Sequence, residues 1–174
     1  SASLSASLSD TPRPAPQGQS VLKLDHVVMA CADLQEGAQW LEDRLGVPLA
    51  AGGQHQGFGT HNRLLNLSEG VYLELIAPDP SQAPPKRPRP FGLDQYCPAL
   101  PQLIHHVVST TNIGQALQHL PYTPSAAIPM QRGALEWKIA VARSGDEHGD
   151  AVLPTVIEWP QGVHPSQQLP AQGI

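Results

Sequence analysis

The feature that most constrains the fold of this chain is a pattern that occurs twice. The run Leu24-Asp25-His26-Val27-Val28 leads into a helix-like stretch, and about eighty residues later Ile104-His105-His106-Val107-Val108 leads into another. Each half then closes on an apolar strand-like run with one carboxylate inside it, Glu74 in the first half and Glu158 in the second. Repetition at this spacing predicts two copies of one supersecondary unit that share a core.

Local patterns predict the order of elements within each unit. Residues 21–29 alternate in the manner of a strand, and Asp33 with Glu36 forms the capping-box pattern of a helix that Gly46 ends. Glycine pairs between residues 52 and 59 indicate a turn-rich crossing, after which two further strands follow. We therefore predict an α+β fold. Two βαβββ modules pair into a curved, mostly antiparallel eight-stranded sheet, a cup or half-barrel with helices outside.

Composition divides the chain into segments around these two modules. The first residues are rich in Ser, Ala and Pro without the basic start of a secretory signal, and a proline-rich stretch separates the two halves. We predict one domain over residues 21–168. Along the chain we expect a disordered leader at 1–20, the first module at 21–80, a linker at 81–101, the second module at 102–160 and an extended tail at 161–174.

Charge and cysteine content limit the partners and the compartment. The net charge of −5 argues against a nucleic-acid partner, because phosphate binding needs a basic face. No apolar run reaches the length of a membrane span. The two cysteines, Cys31 and Cys97, are too few for a disulfide framework and fit a reducing cytoplasm. We expect a cytoplasmic monomer or homodimer whose partner is a small molecule.

The repeat nominates two histidines and two glutamates as a metal site. His26 and His106 hold matching places in their modules, as do Glu74 and Glu158, and four inward-facing side chains would converge. Two imidazoles and two carboxylates suit a divalent Zn, Ni, Fe, Mn or Co ion, with two positions left for water or substrate. Either glutamate could then act as a general base, which makes Glu74 and Glu158 the candidate catalytic residues.

The second histidine ligand depends on the register of one strand. His105 and His106 are neighbours, so their side chains point to opposite faces. We predict His106 as the ligand because it precedes Val-Val as His26 does.

Four segments carry a resemblance to a known superfamily: Leu24-Asp25-His26-Val27-Val28, the turn from Gly57 to Asn62, the run from Tyr72 to Pro80, and the closing run from Leu153 to Trp159 with His164-Pro165-Ser166. They resemble the vicinal oxygen chelate superfamily, which includes glyoxalase I, extradiol dioxygenases, and fosfomycin and bleomycin resistance proteins. Within it the chain is similar to the glyoxalase-like domain family over roughly residues 22–168.

The resemblance implies metal ligands on the first and last strands of each module, which correspond to the same two histidines and two glutamates. It also makes His61 a rival second histidine ligand. Several further side chains are candidates for the pocket: Phe58, His61, Asn62, Arg63, Trp137, Trp159 and His164. Arg63 and Arg132 are candidates for binding an anionic substrate.

Three functions compete at this stage. The first is a metal-dependent isomerase or lyase of the glyoxalase type, acting on a small molecule with vicinal oxygens. The second is a metal-free protein that sequesters a small molecule or drug in the cup. The third is an Fe²⁺ dioxygenase of the extradiol type with a two-histidine, one-carboxylate site. Fold resemblance does not decide among them, because one fold hosts many reactions.

Overall fold

The computed structural model describes residues 21–142 and 153–174, so the predicted leader at 1–20 lies outside the described residues. Within these ranges the chain forms eight strands and two α-helices: β1 (Lys23–Ala30), α1 (Leu34–Leu45), β2 (Ala50–His55), β3 (Thr60–Asn66), β4 (Tyr72–Pro78), β5 (Gln102–Ser109), α2 (Ile113–Leu117), β6 (Ile128–Arg132), β7 (Leu135–Ala140) and β8 (Thr155–Glu158). Two short 3₁₀ helices lie at Pro90–Gly92 and Pro165–Gln168. None of these helices is long and apolar enough to span a membrane.

The strands form one sheet in the order β2-β3-β4-β1-β5-β8-β7-β6. The first strand of each module lies parallel to the last strand of the same module, and the other neighbouring strands are antiparallel. β1 and β5 pair at the centre and join the two modules. The predicted α+β fold, with its mostly antiparallel eight-stranded cup, is therefore confirmed.

Helix α1 covers the outer face of the first module. The Asp33 side chain accepts a hydrogen bond from the backbone N–H of Glu36 at 2.8 Å, and Gly46 ends the helix with φ at 72°. Its apolar stripe, which includes Ala38 and Leu41, packs against outward side chains of β3 and β4. The inner face of the sheet is thereby left to line the cup.

Strand β2 runs through glycines where the sequence predicted a turn-rich crossing. Gly52 lies in β2, and a Cβ there would collide with the backbone and side-chain oxygens of Asn62 on β3. Glycine in a strand often marks such a close approach of a neighbouring segment. The glycine pair therefore belongs to the strand, and the turn comes later, where Gly57 and Gly59 both have positive φ.

We expect Gly52→Ala to lower the free energy of unfolding by about 1–3 kcal/mol, because the added methyl group overpacks the β2–β3 contact. Urea denaturation measures this change. Gly114→Ala is the control: its added Cβ would meet only an atom at 3.6 Å, an ordinary contact, and should leave stability the same or raise it. Equal stability of the two variants would contradict the close approach.

Candidate functional site

The inner face of the sheet encloses a cavity of about 160 Å³. Its wall from the second module is mostly apolar and includes Val107, Met130, Trp137, Ile139, Ile157 and Trp159, with Arg132 and Thr155 as its polar residues. Its wall from the first module carries a cluster of ionisable and amide groups, His26, His55, Asn62 and Glu74. A concave apolar pocket with a few convergent polar groups is the usual form of a small-molecule site.

A bulge in β1 turns two successive side chains toward each other. Leu24 pairs with Val108 and His26 with Val107, so Asp25 is an extra residue between them. Bulges re-aim side chains in this way and are common next to active sites. Here Asp25 is fully buried, and its Oδ1 lies 2.7 Å from Nδ1 of His26.

The other oxygen of Asp25 is held by the segment that follows β8. Oδ2 accepts hydrogen bonds from Nε1 of Trp159 at 3.1 Å and from Nε2 of His164 at 2.8 Å. The backbone N–H of Ser166 donates to Nδ1 of His164, so the proton of that imidazole is on Nε2. With both oxygens engaged, Asp25 holds His26 with Nδ1 protonated and Nε2 toward the cavity.

Glu74 is the centre of the polar wall. Its Oε1 lies 3.6 Å from Nε2 of His26, and its Oε2 lies 3.7 Å from Nε2 of His55. The amide of Asn62 donates to Oε2 at 2.6 Å, while the Asn62 carbonyl accepts from the backbone N–H of Gly53. The buried carboxylate is thus fully partnered by groups of the first module.

These contacts set the protonation of the site. Burial alone would raise the pKa of Glu74, but its contacts with His26 outweigh burial and lower the pKa to about 2. Burial likewise opposes the charge on His26, yet Asp25 and Glu74 raise its pKa to about 8. Burial lowers the pKa of His55. At neutral pH the site therefore contains an imidazolium, His26, between the carboxylates of Asp25 and Glu74.

The structure places the predicted site residues in two groups. Several lie on the wall of the cavity, namely His26, Phe58, Asn62, Glu74, Trp137 and Trp159, and His164 reaches the site through Asp25. Four others do not reach the cavity, namely His61, Arg63, His106 and Glu158. The four predicted metal ligands are therefore not brought together.

Strand register explains why His106 and Glu158 lie outside. In the first module His26 pairs with Tyr72, and Glu74 is two residues further along β4. β1 and β5 pair symmetrically about Val27 and His106, with His26 opposite Val107 and Val28 opposite His105. Val28 pairs with Glu74 and Val107 pairs with Thr155, so His105 and Thr155 are the counterparts of His26 and Glu74. Glu158, three residues beyond Thr155, faces outward. A shift of one residue moves a side chain to the opposite face of a sheet.

The outward residues make their own contacts. The Glu158 carboxylate accepts a hydrogen bond from the backbone N–H of Ile113 at 2.6 Å, at the start of α2, and lies 3.9 Å from Nζ of Lys138. His106 pairs with Val27, whose side chain packs with the outer cluster under α1. His105 points the other way and lies 3.0 Å from Oγ1 of Thr155.

His61 and Arg63 lie on the outer face of β3, because strand alternation sends Asn62 and Leu64 into the cup instead. His61 lies 3.8 Å from the carboxylate of Asp79. Arg63 pairs with Leu75, which belongs to the core under α1. Of the two arginines considered for an anion, Arg132 is the one on the cavity wall.

Sequence patterns missed three residues of the site. Asp25 and His55 are ionisable groups of the polar wall, and Tyr72 stacks on His26 with ring centroids 4.5 Å apart. The adjacent residues Asp25 and His26 in the first repeat were a usable signal, since a carboxylate commonly orients a functional imidazole. His55 gave no signal, because the pairing of β2 beyond its glycines cannot be read from the residues alone.

The predicted divalent metal does not fit the side chains that converge. No group of three or more His, Cys, Asp or Glu side chains within residues 21–142 and 153–174 is arranged to hold an ion. His26 and Glu74 face each other at 3.6 Å, and the second-module residues Val107 and Ile157 on the cavity wall supply no donor. His55 is separated from Glu74 by the amide nitrogen of Asn62, which lies 2.6 Å from Glu74 Oε2 and 3.2 Å from His55 Nε2.

The paired βαβββ modules and their cup define a protein of the vicinal oxygen chelate fold. The glyoxalase-like domain model matches residues 24–174, and the chain belongs to that family. A search of curated protein sequences gave no match.

Solved structures of similar fold include methylmalonyl-CoA epimerase from Mycobacterium tuberculosis, at 21% identity and a TM-score of 0.53, covering 78% of this chain and 85% of that one. A methylmalonyl-CoA epimerase solved with methylmalonyl-CoA and NH₄⁺ matches at 18% identity and a TM-score of 0.58, covering 84% of this chain and 100% of that one. A hypothetical protein from Bacillus halodurans matches at 16% identity and a TM-score of 0.59, covering 82% of this chain and 98% of that one. At these identities the likeness concerns the fold.

Proposed function

We propose that this chain is an isomerase-type enzyme that moves a proton next to a carbonyl group of a small molecule bound in the cup. The observation that carries the proposal is the buried pair of Glu74 and His26, 3.6 Å apart, on the polar wall of a largely apolar cavity. A carboxylate and an imidazolium kept charged and away from water form an acid–base pair suited to this chemistry.

Each residue has a distinct part in the reaction. Glu74 removes the proton from the carbon, and the electron pair of that C–H bond moves toward the carbonyl oxygen to give an enolate. His26, protonated at Nε2, donates to that oxygen and stabilises its charge. A substrate carbonyl that accepts a hydrogen bond from His26 weakens the contact between His26 and Glu74. The pKa of Glu74 therefore rises when substrate binds. Return of the proton to the opposite face of that carbon inverts it and completes the isomerisation, whereas return to the same face gives only exchange with solvent.

The proposal is tested by hydrogen–deuterium exchange at carbon. The protein is incubated in D₂O with 4-methyl-2-oxopentanoate or phenylpyruvate, which have vicinal oxygens and an apolar body, and exchange at C3 is followed by NMR. We expect exchange above the uncatalysed rate, and a loss of about 100-fold or more in Glu74→Gln and His26→Gln.

The chain offers matched controls, because Glu158 and His106 are the same residue types on the outer face of the second module. Glu158→Gln and His106→Gln should exchange at the wild-type rate. If Glu158→Gln reduced the rate as much as Glu74→Gln, the assignment to the first module would be wrong. Binding of either compound without any exchange would instead favour the sequestering protein considered from the sequence.

Elemental analysis of the purified protein separates this proposal from the metal-dependent one. We expect no stoichiometric transition metal and no effect of chelators on exchange. About one equivalent of metal, lost in both His26→Ala and Glu74→Ala, would replace the proposal with a metal-dependent enzyme in which Asn62 gives way to a ligand.

A further inference from the structure

Among the described residues, Arg132 is the charged group of the cavity wall without a partner of opposite charge. It lies at the end of β6, and no carboxylate of residues 21–142 or 153–174 is within ion-pair distance of its guanidinium. Arginine carries five N–H donors in a planar fork that matches a carboxylate. A guanidinium left unpaired beside an apolar cavity is therefore a ready anion site.

The position of Arg132 is held by the opposite edge of the sheet. β2 and β6 are the two edge strands, and a Cβ at Gly53 on β2 would lie 3.3 Å from Cδ and 3.4 Å from Nη1 of Arg132. The arginine side chain thus lies across the gap between the two modules, on a glycine that leaves room for it. Its positive charge reaches the polar wall, where it adds to the effect of burial in lowering the pKa of His55.

The carboxylates of the site are not available to a cationic ligand. Both oxygens of Asp25 accept from His26, Trp159 or His164, and both oxygens of Glu74 face imidazole or amide groups. A cation entering the cup would find its candidate partners already engaged. An anion can bind Arg132, which has no carboxylate partner among residues 21–142 and 153–174.

The size of the cavity limits the rest of the ligand. An apolar cavity of about 150 Å³ holds a benzene molecule in another protein, and this cavity has a volume of about 160 Å³. Its apolar wall includes the tilted pair Trp137 and Trp159, with ring centroids 5.4 Å apart. This wall suits one ring or a branched chain of similar size.

We infer that the cup binds a small monoanion, with its carboxylate on Arg132 and a benzene-sized apolar body against the tryptophan wall. This inference rests on the proposed function only for the identity of the reacting group, and the binding site does not depend on that function. The substrate class is a carboxylate that carries one compact apolar group.

Calorimetric titration with benzoate, benzamide and benzylammonium tests the inference without any turnover. These probes share one ring and differ in charge. We expect the wild-type protein to bind benzoate at least 10-fold more tightly than either other probe. Arg132→Gln should weaken benzoate about 10- to 100-fold while leaving benzamide within 2-fold, because it removes a charge-assisted hydrogen bond. Arg63→Gln, which removes an arginine from the outer face, should change neither affinity.

Three results would overturn the inference: equal affinity for benzoate and benzamide, tighter binding of benzylammonium, or no benzoate binding at millimolar concentration. Glu74→Gln separates this inference from the proposed function. If Glu74→Gln retains benzoate binding and wild-type protein shows no carbon exchange, the anion site stands and the proposed reaction fails. If exchange occurs but Arg132→Gln leaves benzoate binding unchanged, the reaction stands and the anion site fails.

Discussion

Replacing Asp25 by alanine is expected to lower the free energy of unfolding by about 3–5 kcal/mol, the usual cost of removing one partner from a buried ionic group. Asp25 is fully buried and accepts from three side chains, those of His26, Trp159 and His164. Its loss would leave the buried His26 and the half-buried Trp159 and His164 without this acceptor and would free the segment after β8. Urea denaturation measures the change.

Asp33→Ala is the control for Asp25→Ala. Asp33 is exposed and accepts one hydrogen bond at the start of α1, so its replacement should cost about 1 kcal/mol, as for other helix caps. Equal losses in the two variants would show that Asp25 does not link the two modules. Asp25→Asn should recover part of the lost stability, because its amide oxygen can still accept from some of the three donors.

Stability is expected to fall by about 2 kcal/mol as the pH rises from about 6.5 to above 8. His26 has a pKa of about 8 in the folded protein against 6.5 in an unfolded chain, and a tenfold change in a proton-binding constant corresponds to about 1.4 kcal/mol. A raised pKa contributes stability that is complete below the unfolded value and is lost as pH passes the folded value. Denaturation midpoints measured from about pH 5 to 9 follow this loss.

The free energy of unfolding should also fall at acid pH, where groups with lowered pKa values become protonated. The pKa values of Asp25 and Glu74 are lowered to about 2, so their contribution is present above the unfolded values, near 4, and is lost as the pH approaches 2. The lowered pKa of His55 acts in the same direction below about pH 6.5. In His26→Gln the alkaline decline should disappear, whereas His106→Gln should retain it. A flat wild-type profile between about pH 6 and 9 would contradict a charged His26.

The architecture could be predicted because it rests on repetition. Two matching strand–helix openings and two closing strands predicted paired βαβββ modules, and hydrophobic alternation placed β1, β3 and β4. The prediction erred at β2. Glycine usually indicates a turn, and here it serves the close approach of Gly52 to Asn62 on the next strand, a tertiary contact that composition does not reveal.

The candidate site could be predicted only in its first half. Side-chain alternation defines the two faces of a strand but not which face meets the cup, so His106 and Glu158 were predicted to face the cup although they lie on the opposite face. The bulge at Asp25 was likewise hidden, since it depends on the pairing of β1 with β5 across eighty residues. His26 and Glu74 do lie at the cavity, and their roles in catalysis stay a prediction.

The unequal filling of the two equivalent halves makes the fold a natural scaffold for redesign. The proton-transfer groups occupy the first module, while Val107 and Ile157 of the second module only shape the apolar wall. Substitutions at those two positions can therefore alter ligand preference without touching the proton-transfer groups.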